Sequence, residues 1–171
     1  MNRIWSPWRS ELLDNHVEAS EEKADVSVFV RLEREHRDEE NLILWRGQCV
    51  FVIMNRFPYN NGHLLIVPYR QVEDYEDLTE AEQIEIARVT GHCIRWLRTA
   101  LCPEGFNLGM NLGKAGGAGI PNHLHMHVVP RWSGDTNFMP TVGDVKVVPE
   151  AMHETYRKLK QAIRQDHAQS S

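Results

Sequence analysis

His123, His125 and His127 stand at alternate positions in the run His-Leu-His-Met-His-Val-Val-Pro, residues 123–130. On an extended chain, successive side chains leave opposite faces, so the three imidazoles share one face and Leu124, Met126 and Val128 take the other. The apolar set can bury in a core while the imidazoles line a site. Packing alone does not account for the row, because every buried ring needs a polar partner. Two chemistries use such an arrangement. In the first, His-x-His on a strand brings two imidazole nitrogens to one metal ion, and a third completes an open site. In the second, one imidazole is a nucleophile and its neighbours orient it and handle protons. The nearby Lys114, Asn122 and Arg131 supply no carboxylate to a metal. The glycine-rich stretch Gly113–Pro121 instead suits close approach of backbone N–H groups to phosphate oxygens, though glycine there also reads as simple flexibility. Gly113-Lys114 is followed by Ala115, so it is no Walker motif.

Several elements must position that row. Leu42–Trp45 and Cys49–Asn55, joined through Arg46-Gly47, read as a hairpin. The turn formers of Phe57–Gly62 lead to a strand over His63–Val67 that Pro68 ends. Thr79 and Glu82 make a capping box, and Ile84, Ala87, Val89, Cys93, Ile94 and Leu97 fall near one stripe, which predicts a helix from Thr79 to Leu101. Asp77, Glu80 and Glu82 suit the positive end of its dipole. Strands are predicted over Phe106–Leu112 and His123–Val129. A loop over Arg131–Val145 then leads to a terminal helix over Pro149–Gln165 with a frayed tail. Hairpin strands, one long helix and further strands predict an α+β fold, with helices on an antiparallel sheet.

Three segments follow. Residues 1–40 form an N-terminal arm and charged segment packing on the domain, with Trp5 and Trp8 against it. Residues 41–148 are expected to form the domain that carries the histidine row, and 149–171 a C-terminal helix and tail. Arg31–Glu40, charged or histidine at every position but Leu32, reads as a solvated helix end or loop.

A chain of 171 residues with 19 basic and 24 acidic side chains, net charge −5 and 42% hydrophobic content suits one folded domain. The acidic balance argues against nucleic acid as a partner, since sequence-independent binding relies on a basic field; one local site can still take a polyphosphate. There is no apolar run of the roughly 18 residues that a membrane span needs, and the N-terminus lacks the pattern of a signal peptide. Cys49, Cys93 and Cys102, an odd number without a close pair, point to a reducing cytoplasm rather than a disulfide framework.

With φ for an apolar residue, His-φ-His-φ-His-φ-φ-Pro resembles the signature of the histidine-triad (HIT) superfamily of nucleotide hydrolases and transferases. Asn55, and Gly62-His63 followed by Leu-Leu-Ile-Val-Pro, are similar to the family's first half-site, where an Asn or Asp holds the ribose hydroxyls and the Gly-His strand adds a fourth histidine. Asn111 is similar to the polar residue that contacts the substrate phosphates. The resemblance covers roughly Asn41 to Trp132. Trp5-Ser-Pro-Trp-Arg9, Tyr59-Asn-Asn-Gly-His63, Asn107-Leu-Gly-Met-Asn111 and Pro130-Arg-Trp-Ser-Gly-Asp135 look most like the bacterial diadenosine tetraphosphate phosphorylase/hydrolase branch. Two features depart from the family pattern. Many relatives carry a hydroxyl residue just before the triad, where this chain has Gly119, Ile120, Pro121 and Asn122, so leaving-group assistance falls to Lys114, Asn122 or His123, or to a substrate with a good leaving group. Many also have a zinc-binding Cys-x-x-Cys near the N-terminus, where this chain reads Ser27-Val28-Phe29-Val30.

The resemblance implies a HIT-like fold and a homodimer with the two sheets side by side. It implies His125 as nucleophile toward the α-phosphorus of a dinucleoside polyphosphate, with water or inorganic phosphate as acceptor. His123, His127 and loop N–H groups would stabilise charge, and His63 with His127 would form a hydrogen-bond chain behind the nucleophile. Asn55, Asn111, Gly117, Gly119, Ile53, Phe51 and Trp132 are the expected nucleotide-binding residues. No metal is expected in the protein, and Mg²⁺ would accompany the polyphosphate. The alternatives are an adenosine phosphoramidate hydrolase of the same superfamily and a nucleotide-binding protein without turnover.

Overall fold

In the computed structural model, which describes residues 26–135 and 150–170, the hairpin expected around Arg46-Gly47 is present. Strand β1 (Ile43–Arg46) pairs antiparallel with β2 (Val50–Met54), with a bulge between Ile43 and Trp45. Next come β3 (Leu64–Pro68), β4 (Gly105–Met110) and β5 (Met126–Arg131). All pair antiparallel in the order β1-β2-β3-β5-β4, an α+β sheet as the sequence predicts. Every residue of β2 and β3 is buried, because both faces of the sheet are covered. Alternation divides them. Val50, Val52, Met54, Leu64, Ile66 and Val128 join a core beneath the long helices, while Phe51, Ile53, Leu65 and Val67 join a second cluster on the opposite face.

The expected strand over His123–Val129 is displaced. Regular pairing begins at Met126 and runs through Pro130 to Arg131, so His123 and His125 precede the strand. The proline is tolerated because a residue's N–H and C=O leave a strand on the same side. The Pro130 carbonyl points at the Asn60 side chain, beyond the start of β3 at Leu64, so no ladder bond is lost there.

Helix α2 (Glu80–Leu101) starts at the predicted capping box: Thr79 Oγ1 accepts from the Glu82 N–H, and the Glu82 carboxylate accepts from the Thr79 N–H. Its inner stripe differs from the sequence reading. Ile86, Val89, Cys93, Trp96 and Leu97 face the core, whereas Ile84 is 53% exposed and Ala87 is also outside. Glu85 explains the rotation. Its carboxylate is buried and accepts the backbone N–H groups of Gln48, Cys49 and Val50, tying the helix to the β1–β2 turn.

Ser27 caps helix α1 (Val28–Arg34), with its side chain accepting from the Phe29 N–H. The solvated helix end or loop expected over Arg31–Glu40 is what the segment shows: Arg31–Arg34 close helix α1 behind the buried Phe29 and Val30, and Glu35–Glu40 follow as exposed or half-buried turns. Arg46 ties the segment down through Glu33 and Asp38. Helix α3 (Met152–Ser170) outlasts the predicted end at Gln165, and its Tyr156, Leu159, Ala162 and Ile163 complete the core on α2. Trp5, Trp8, Pro149 and most of the loop expected before the last helix lie outside the described residues. No described helix is long and apolar enough to cross a membrane.

Candidate active site

The end of β3 fixes the first part of the histidine row. His123 is fully buried, and its Nε2–H donates to the Pro68 carbonyl at 2.9 Å. The next residue, Leu124, donates its N–H to the Val72 carbonyl. These two anchors hold the His123 carbonyl in place, and it accepts the Nδ1–H of His125 at 2.8 Å. A carbonyl only accepts, so the His125 proton sits on Nδ1 and Nε2 keeps its lone pair. Burial pushes both rings toward the neutral form: the His123 value is lowered to about 4, and that of His125 is lowered as well, with the carbonyl contacts opposing part of each shift.

His127 lies on β5 opposite Leu65 and reaches His63, at the start of β3, with Nδ1 2.9 Å from His63 Nε2. The tautomers follow from the partners. His63 Nδ1 receives the Tyr59 N–H at 3.0 Å and faces the Asn55 amide at 3.3 Å, so its own proton sits on Nε2 and is donated to His127 Nδ1. A neutral His127 then carries its proton on Nε2. The rings of His125 and His127 are 4.8 Å apart. One imidazole with an available lone pair thus stands beside another that presents an N–H.

His63 can start β3 because Gly62 precedes it. Gly62 has φ +73°, and a Cβ there would lie 2.5 Å from Leu101 of α2, so the turn is both left-handed and pressed onto the helix.

The structure thus brings together all four expected histidines, with Asn55 beside them. Asn55 Oδ1 also accepts from the Phe57 N–H. Phe51 and Ile53 lie on the face that bears the histidines but are 1% and 2% exposed, forming an apolar bed rather than an open surface. Asn111 is half-buried and donates from Nδ2 to the Gly117 carbonyl, bracing the glycine loop. The N–H groups of Gly116, Gly117 and Ala118 fold back onto Gly113 and Lys114. The Gly117 N–H is therefore spent within the loop, whereas a Cβ at Gly119 would meet no atom within 4 Å. Trp132 stands in the turn after β5, its N–H donated to Asp135. The His123 ring points away from the role of a donor to phosphate, since its one N–H is held by Pro68.

Sequence reasoning missed Phe29. Its ring meets His123 edge-on at 5.4 Å and His125 at 5.2 Å, and it roofs the bed of Phe51 and Ile53. The signal was there: Ser27 before Val-Phe-Val marks a capped helix with an apolar start. Ser27 is a helix cap, and Phe29 and Val30 are buried apolar side chains, so residues 27–30 offer no soft ligand. Among the described residues, no group of three or more His, Cys, Asp or Glu is arranged to hold a metal ion.

Four histidines thus converge from the start of β3, from β5 and from the segment just before it. The HIT domain model matches residues 37–134, and the chain belongs to the HIT family. A relative from Mycobacterium tuberculosis named AP-4-A phosphorylase is 40% identical over 162 residues, spanning 93% of this chain and 83% of that protein. The crystal structure of a zinc-bound histidine triad family protein from Mycobacterium smegmatis superposes with a TM-score of 0.69 at 25% identity, covering 84% of this chain and 96% of that one. A hypothetical histidine triad nucleotide-binding protein from Sulfolobus tokodaii shares the fold with a TM-score of 0.63 at 22% identity, covering 78% of this chain and 91% of that one.

Proposed function

We propose that this protein cleaves dinucleoside polyphosphates of the diadenosine tetraphosphate kind at the α-phosphorus, through a nucleotidyl group carried on His125. The hydrogen bond from His125 Nδ1 to the His123 carbonyl supports this most directly, because it leaves Nε2 as a neutral, oriented nucleophile. Nε2 forms a bond to phosphorus as the bond to the leaving polyphosphate breaks, and the electron pair departs with that oxygen. An acceptor, water or inorganic phosphate, then displaces His125. The His127 N–H donates to a phosphoryl oxygen as charge develops, with His63 holding its ring. Asn55 serves the ribose, the apolar bed of Phe29, Phe51 and Ile53 backs the base side, and Gly119 and Trp132 serve the phosphate side, where Asn111 and Gly117 brace the loop. His123 acts through its carbonyl rather than its ring. The chemistry requires no metal in the protein, and Mg²⁺ enters with the polyphosphate.

Among the described residues, strand β4 forms an edge of the sheet and carries Leu108, 47% exposed, with Leu112 just beyond it at 50%. This edge suits side-by-side pairing with a second copy. The name of the M. tuberculosis relative favours phosphate as acceptor. Incubation with diadenosine tetraphosphate, with and without inorganic phosphate, tests the function. Phosphorolysis gives ATP and ADP only when phosphate is present, and hydrolysis gives ATP and AMP in either case. Failure to consume the dinucleotide under both conditions would overturn the proposal.

A further inference from the structure

The turn before β3 touches the histidine pair from two directions. The Tyr59 N–H meets His63 Nδ1 at 3.0 Å, and its ring lies over both imidazoles, 4.8 Å from His63 at 31° and 5.7 Å from His127 at 20°. The next residue is anchored at a distance. Asn60 donates from Nδ2 to the Pro130 carbonyl and to Asp135 Oδ2 at 2.8 Å, while its own carbonyl accepts the His63 N–H. Asp135 is in turn held by the paired Nε and Nη2 donors of Arg131 and by the Trp132 N–H. We infer that Tyr59 is a positioning residue for the His63–His127 pair, and that the contact between Asn60 and Asp135 is the strut that keeps it there.

The inference rests on the proposed role of His127 as a donor to phosphate. Tyr59 imposes a direction on the chain of protons. With its N–H aimed at His63 Nδ1, the His63 proton must sit on Nε2, and the His127 proton must sit on the nitrogen that faces away from His63. If the turn shifts, His63 can hold its proton on Nδ1. Its Nε2 then becomes an acceptor, His127 must donate from Nδ1, and the His127 N–H needed by the phosphate is lost. The stacked Tyr59 ring prevents the two imidazoles from turning out of this line.

The test measures kcat and KM on diadenosine tetraphosphate for Tyr59→Leu, Tyr59→Phe, Asn60→Ala and His125→Gly, and records ring ¹⁵N spectra of histidine-labelled protein. Tyr59→Leu and Asn60→Ala should each lower kcat by about 10²-fold, as a displaced catalytic group does, with KM changed only a few-fold. Their spectra should show the His63 and His127 signals leaving the Nε2–H pattern. Tyr59→Phe, which keeps the ring, should recover most of what Tyr59→Leu loses. Unchanged kcat in Tyr59→Leu and Asn60→Ala, or a loss with unchanged ring spectra, overturns the inference. His125→Gly separates the two levels: if it is inactive while Tyr59→Leu is unaffected, only the positioning role fails, and if it is fully active the proposed function fails.

Discussion

The carbonyl of His123 accepts the Nδ1–H of His125 at 2.8 Å while the His123 ring is turned the other way, onto Pro68. Two histidines of one row thus have opposite relations to the site. The first is an anchored support, and the second is the group it aims.

His123→Ala should therefore weaken turnover without abolishing it, and should destabilise the fold. It empties a fully buried ring site and frees the Pro68 carbonyl, a cost of about 2–4 kcal/mol. Urea unfolding alongside kcat measures both. Unchanged stability would contradict the buried anchor.

Acid should act on the same pair. In the unfolded chain these rings protonate near 6.5, whereas burial lowers His123 to about 4 and lowers His125 too. Below pH 6.5 the unfolded state binds protons that the folded state refuses. Stability is therefore full above that pH and falls as the pH drops toward 4, by up to about 3 kcal/mol from His123. The carboxylates whose values are lowered, Glu35, Glu82, Glu150 and Asp166, start from 4.5 or below and act in a more acid range. Unfolding curves at pH 7.5, 6 and 5 should show midpoints falling in that order, and a flat or rising series would refute the assignment.

Glu85→Ala should be among the more damaging changes away from the site. It strands three backbone N–H groups of the β1–β2 turn, each costing about 1–3 kcal/mol where water cannot reach. A fall in Tm of several degrees with kcat at the remaining folded temperature near normal is expected. A melting curve superimposable on the native one would show the carboxylate to be dispensable.

Gly62→Ala should harm both stability and catalysis, because it forces a side chain into a left-handed turn against Leu101 and displaces His63. The backbone alone costs about 1–2 kcal/mol. Restoring space with Leu101→Ala should relieve the clash but not the backbone strain. Full recovery in the double variant would mean that the positive φ is not needed.

The site was more legible in the sequence than its supports. The alternation at His123–His127 put three imidazoles on one face without any knowledge of pairing, and the Gly-His step marked the fourth. What remained hidden depends on long-range contacts. The stripe on α2 was misread at Ile84 and Ala87 because Glu85 is drawn inward by N–H groups 35 to 37 residues away. Phe29 was masked by the charged run that follows it, although Ser27 announces its helix. The strand was placed too early because the alternation of His and apolar residues already begins at His123, whereas ladder pairing begins only at Met126. The role of the Pro68 and His123 carbonyls has no sequence signal at all, since every residue carries one.

The central claim is that His125 carries the nucleotidyl group. It is tested most directly by mixing enzyme with diadenosine tetraphosphate, quenching within milliseconds in alkali, where a phosphorus–nitrogen bond survives, and mapping the added mass by peptide mass spectrometry. An adenylyl group on His125, absent in His125→Gly, is the predicted result. Rapid turnover with no adduct on any histidine, or an adduct on another residue that persists in His125→Gly, would contradict it.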